Sequence, residues 1–296
     1  MTRILELEEG QITYEVLGMG PPVLGMPGGP GVSASYVSLY ARDLTDVLCW
    51  YLVDPPGTGG TSPPAEDDGY SIEQHARFYR DAARALGLDK YIVFGHSYSA
   101  IVALTMAAHN QQEALGCILT GAPAVGIEPD RVEGSPIRKE MNVLLARHQD
   151  APWYEDALKA WDESPSSPDE LKNVMRRTIP LDFSSPDDPE NRRAMAEILD
   201  HISPSPGPMN WFYEKEWPVL DLRPLLSQIR CPVLVVVGEH DWDAPPSQAR
   251  IIEQGVSNTT VVVVPSCGHW VAVEAPEAFQ AAVRNWLNQN RQKLLI

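Results

Sequence analysis

Three short segments of this chain carry side chains that could together perform acyl transfer. Gly95-His96-Ser97-Tyr98-Ser99 follows the apolar run Tyr91–Phe94 and precedes the small, apolar stretch Ala100–Ala108. That reads as strand, tight turn and helix, with a serine lifted out at the apex. Gly238-Glu239-His240-Asp241 directly follows a valine-rich run at 232–237, and Cys267-Gly268-His269-Trp270 follows Thr260–Val264. A serine hydroxyl is a poor nucleophile until an imidazole takes its proton, and the imidazole needs an acid to fix its tautomer. Serine, acid and histidine occur here in that chain order, each in a loop after a strand. The expected catalytic residues are therefore Ser97, Asp241 and His269. Glu239 and Asp243 are the rival acids, with Asp241 preferred.

A tetrahedral oxyanion needs backbone donors. One is expected from the amide of Tyr98, next to the serine, and the other from Gly29 in Pro27-Gly28-Gly29-Pro30-Gly31. The fifth position of the serine turn is Ser99 instead of glycine, so a small side chain must fit where helix and strand approach closely. Asp54-Pro55-Pro56-Gly57-Thr58-Gly59-Gly60 looks superficially like a phosphate cradle. It lacks the lysine of a P-loop and no helix starts immediately behind it, so it is read as a turn near the pocket.

These segments need a scaffold that brings three loops to one edge. Strands are expected at 3–8 and 11–17 around a Glu9-Gly10 turn, then at Val23–Met26, Cys49–Val53, Tyr91–Phe94, Gly116–Thr120, 232–237 and Thr260–Val264. Between them lie helical patterns. The clearest starts at Ser71 with Gln74 three residues on, repeats apolar positions every three or four residues, and stops at Gly87. Strands alternating with helices argue for an α/β fold, a mostly parallel sheet with helices on both faces. The alternation breaks after Pro123. To about Leu225 the chain shows helical stretches and no strand signal, which reads as a helical cap at 124–225 inserted into a core of 1–123 and 226–296.

The 296 residues carry 40 acidic and 23 basic side chains, a net charge of −17. A field of that sign repels phosphate backbones and anionic lipid, so neither nucleic acid nor membrane is an expected partner. No 18-residue apolar run and no signal-like N-terminus occurs. Cys49, Cys117, Cys231 and Cys267 form no C-x-x-C pair. Free thiols in a reducing cytoplasm are expected, with no metal and no cofactor. The oligomeric state is left open.

With Gly28-Gly29-Pro30-Gly31, Asp54 and its glycine-rich loop, the Ser97 turn, the inserted helices, Gly238-Glu239-His240-Asp241 and Gly268-His269, nearly the whole chain resembles a capped α/β-hydrolase of the proline iminopeptidase branch. The resemblance implies a serine hydrolase acting on a small molecule or short peptide. Three positions depart from the branch. Pro27 stands where the branch usually has histidine. The branch also grips a free amino group with glutamates. The cap segment carrying one aligns with Pro208–Phe212, where the match falls on Trp211, and another that follows the catalytic acid corresponds to Trp242. Two indoles in place of two acids imply an apolar, aromatic pocket lined by Trp211, Trp242 and Trp270, unless Glu214 or Glu216 restores an acid. The expected activity is hydrolysis of an ester or amide with a small apolar or aromatic acyl group. A proline iminopeptidase, and a non-hydrolytic enzyme or binding protein on the same scaffold, are the alternatives.

Overall fold

A computed structural model of the protein describes residues 2–7, 10–131 and 134–294, the side chain of Asp67 excepted. Eight strands form one sheet: β1 Arg3–Leu7, β2 Gly10–Gly18, β3 Pro22–Met26, β4 Cys49–Val53, β5 Tyr91–His96, β6 Ala114–Thr120, β7 Val233–Gly238 and β8 Thr259–Val264. Their spatial order is β1-β2-β4-β3-β5-β6-β7-β8. β2 runs antiparallel to both neighbours, and every pairing from β4 to β8 is parallel. Of the expected Glu9-Gly10 turn, Glu9 lies outside the described residues and Gly10 opens β2.

The central strands are mostly buried because helices cover both faces. β5 and β7 are buried at every residue, which is why they read as continuous apolar runs without alternation. On one face pack the helices Ile72–Ala85 and Tyr98–His109, with Ile101, Leu104, Tyr79 and Ala83 in the core. The Tyr98–His109 helix buries every residue except His109, as expected for a helix apolar on all sides. The Pro276–Gln289 helix lies on the other face, where Trp286, Phe279 and Val283 meet Phe94, Trp50 and Leu234. The Ser71 cap is present, its hydroxyl accepting from the Gln74 amide. The segment after β3, at 34–44, is a chain of short helical turns, kinked at Asp43.

Between β6 and β7 the described residues form helices and no ladder strand. The longer ones are Pro136–Leu145, Tyr154–Trp161, Pro168–Thr178 and Pro189–His201. Three of these four begin with proline after a capping serine or aspartate, at Ser135, Ser167 and Asp188. That is the arrangement in which proline's missing N–H costs nothing. Next comes Pro206–Trp211, which runs into a π-helical turn at Phe212–Glu216. An isolated bridge from Val32 to Pro204 ties this helical segment to the core, and a second, Val125 to Asp221, brings its two ends together. Among the described residues no helix is long and apolar enough to cross a membrane, and no group of three metal-ligating side chains occurs.

Candidate active site

Ser97 sits between β5 and its helix with φ at +55° and ψ at −122°. A non-glycine residue there is strained by about 1–3 kcal/mol, so the surroundings must enforce it. The Ser97 amide is bound by Thr120 O at 2.9 Å, and Ser97 O accepts from Ala100 N at 2.9 Å. A side chain at Gly95 would lie 2.4 Å from Ser99 O, and one at Gly28 would lie 2.2 Å from His96 O. Both contacts are impossible for a Cβ, so glycine is required for the turn to close against its neighbours. Ser99 fits without glycine because its hydroxyl is used. It accepts from His96 N at 2.9 Å and donates to Met26 O at 2.8 Å, stitching the turn to β3.

His269 lies in the loop after β8, buried to 4% exposure. Its Nδ1 is 2.9 Å from Oδ2 of Asp241, which is itself fully buried and accepts from Ala244 N through Oδ1. Asp243 stands on the other side of the ring, its Oδ2 4.0 Å from Nε2. The rival Glu239 is committed elsewhere, accepting from Ser266 N. Burial disfavours a charged imidazole here, but Asp241, Asp243 and Asp182 together outweigh it and push His269 up to about 10. Burial and the neighbouring carboxylates in turn push Asp182 up to about 7 and Asp243 to about 6. His96 packs with its ring tilted against both His269 and Trp270, at centroid distances of 4.7 and 4.8 Å. Burial first, then the charge on His269, holds it well below the ordinary histidine range.

Ser97, Gly29 and His269 open onto one cavity of about 430 Å³. The Tyr98 amide, first in its helix, has no intrahelical acceptor. Gly28 donates to the Tyr36 hydroxyl, which holds this loop where Pro27 offers no donor. No hydrogen bond joins Ser97 Oγ to His269 among the described residues, an arrangement often seen before substrate tightens such a site.

The pocket wall differs from expectation. Trp270 and Glu214 line the cavity, but Trp211 and Trp242 do not. Met209, Asn210, Tyr213, Glu214 and Trp217 face it at three- and four-residue spacing. Trp211 falls outside that stripe, its indole nitrogen buried. Trp242 lies behind the cavity wall. It packs on Trp161 at 4.8 Å and donates to Asp182 Oδ1 at 3.2 Å. Glu214 is exposed at the rim. Glu216 instead accepts the Ile72 amide with both oxygens, capping the Ile72–Ala85 helix. Residues 54–62 do not line the cavity. Asp54 braces that loop by accepting from Ala34 N and Thr13 Oγ1.

Asp182, Asp243 and Glu163 line the cavity beside the indoles of Trp161, Trp217 and Trp270, and no lysine or arginine lines it among the described residues. The signal for Asp243 was the loop's alternation: positions 241 and 243 share a side, and 242 does not. No local motif marks Asp182, which arrives from the insertion.

The α/β hydrolase fold family model matches residues 21–276, and the chain belongs to that family of hydrolases. Haloalkane dehalogenase 2 of Mycobacterium bovis is 25% identical over 95% of this chain and 93% of its own length. An α/β fold family hydrolase from Bacillus anthracis superposes with a TM-score of 0.76 at 20% identity, covering 97% of this chain and 99% of its own. Proline iminopeptidase from Mycobacterium smegmatis superposes with a TM-score of 0.73 at 18% identity, covering 100% and 99%. Relatives with such different names share one scaffold, so the activity must be argued from the site.

Proposed function

We propose that the protein is a serine hydrolase that cleaves an ester or amide through an acyl-enzyme, with the helical insertion at 124–225 acting as a cap. Ser97 Oγ attacks the acyl carbon and gives its proton to Nε2 of His269. The Gly29 and Tyr98 amides hold the oxyanion, and His269 returns the proton to the leaving group. Water then repeats the sequence on the ester. Asp241 holds Nδ1–H and stabilises the imidazolium. The observation that carries this reading is a buried Asp241–His269 pair at 2.9 Å opening onto the same cavity as a serine on a strained strand–helix turn. Ser97→Ala should abolish turnover and labelling by a fluorophosphonate. Undiminished labelling would put the nucleophile elsewhere.

The cavity wall also supports the second reading, an aminopeptidase of the proline iminopeptidase kind. Asp182 and Asp243 have no lining cation except His269 to offset them, and an ammonium between them would supply one. It would also weaken their hold on the imidazolium and free the base. The measurement is kcat/KM for a prolyl arylamide against its N-blocked and des-amino counterparts. A preference for the free amine favours this reading, and equal rates favour the general esterase or amidase. Tight ligand binding without an acyl-enzyme burst on any ester would instead indicate a non-hydrolytic role.

A further inference from the structure

His269 is supported on three sides, and one support comes from the insertion. Its backbone amide donates to Asp182 O at 2.7 Å. The residue before it, Gly268, donates to Glu274 Oε1 at 2.8 Å. The other oxygen of the same carboxylate, Oε2, accepts from the amide of Ser184 at 2.9 Å. Glu274 thus bridges two backbones that approach each other only in the folded molecule: the histidine loop of the core and the 182–184 segment of the insertion. It can do so because a single helical turn, Val271–Glu274, follows Trp270 and folds its last residue back beneath the loop. A second tie runs parallel to the first, between Ser184 Oγ and His240 Nδ1 at 2.6 Å.

We propose that Glu274 is a positioning residue for His269, and that the Asp182–Ser184 segment is part of the mount of the imidazole instead of a lid that moves independently of it. The inference rests on His269 being the base. Charge-assisted bonds from two amides to one carboxylate are short, directional and strong. A carboxylate meeting two amides from different segments therefore sets their separation. Loss of either bond lets the 268–269 backbone relax, and a base displaced by about 1 Å can cost about 100-fold in rate. Glu274 touches neither the cavity nor Ser97, so its effect is on the geometry of the base and not on substrate binding.

The test uses Glu274→Gln, which keeps size and shape but turns one acceptor into an NH₂ group facing an amide N–H. The expected result is a fall in kcat of about 10- to 100-fold on an activated ester with KM little changed. Slower fluorophosphonate labelling of Ser97 and a shifted or broadened low-field proton resonance of His269 Nδ1–H should accompany it. Glu216→Gln is the control: another half-buried carboxylate accepting a backbone amide, but remote from His269. Wild-type kcat and an unmoved resonance in Glu274→Gln would overturn the proposal. So would an equal loss of kcat in Glu216→Gln at the same loss of thermal stability. The Ser97→Ala result separates the two claims. If that variant is dead while Glu274→Gln is fully active, only the positioning role fails. If it turns over normally, the serine mechanism fails, and the Nδ1–H resonance still reports whether Glu274 orients the ring.

Discussion

The two halves of the candidate site are built differently. Ser97 is held by its own neighbourhood: a strand, a turn, a helix, two glycines that leave no room for a Cβ, a backbone bond to β6 and the Ser99 hydroxyl's bond to β3. His269 is held by groups from several segments, with Asp241 on Nδ1, Asp243 near Nε2, the main-chain carbonyl of Asp182 on its amide, and Glu274 on the amide of Gly268. The first half is steric and local, so it tolerates little change anywhere. The second is electrostatic and long-range, so single substitutions tune it.

Substitutions that break each half should separate them. Ser97→Ala should remove about four orders of magnitude or more from kcat while the thermal unfolding midpoint stays near that of the wild type, as measured by stopped assay and scanning calorimetry. Asp241→Asn should cost a comparable factor, since it leaves the imidazole without the acceptor that fixes its tautomer. Gly28→Ala tests the steric half. Its Cβ would meet His96 O at 2.2 Å, so activity and unfolding temperature should fall together. A Gly28→Ala enzyme with normal stability would show that the turn is less constrained than its packing implies.

Tuning should be visible in pH profiles. Asp243 is one of three carboxylates that push His269 upward, against the opposing effect of its burial. Removing that charge in Asp243→Asn lowers the histidine's pKa, so the free base persists to lower pH. The acidic limb of kcat/KM for a neutral ester should move down, and activity near neutrality should rise. A limb that stays put would mean Asp243 does not act on the base. The smallest effect is expected at Glu216, which burial pushes up to about 7 despite its bond from Ile72. The folded state therefore binds this proton more tightly than the unfolded state does. Its stability contribution is complete below the ordinary glutamate range and is lost as pH rises through about 7. Glu216→Gln should flatten the unfolding temperature between about pH 5 and 8 and leave kcat unchanged.

Much of this was legible along the chain because the relevant physics is local. The buried runs at β5 and β7, the Ser71 cap and the strand–serine–helix turn each announce themselves within ten residues. So does the order of serine, acid and histidine, which required only that three loops share a sheet edge. The pocket wall was not legible in this way. Trp211 and Trp242 occupy the right stretches but the wrong faces. Which face turns inward depends on a helix that widens to a π turn at 212–216 and on Trp242 finding Trp161 and Asp182 across the insertion.

What the linear order of residues determined about this protein is its alternating scaffold and the three loops that carry the candidate serine, histidine and aspartate. Periodicity and turn chemistry act over a few positions and need no distant partner. The acidic character of the cavity, the bracing of the histidine loop by Glu274 and the capping role of Glu216 were decided only by the tertiary structure. Each brings together segments dozens to more than a hundred positions apart, and nothing in either segment alone specifies the other.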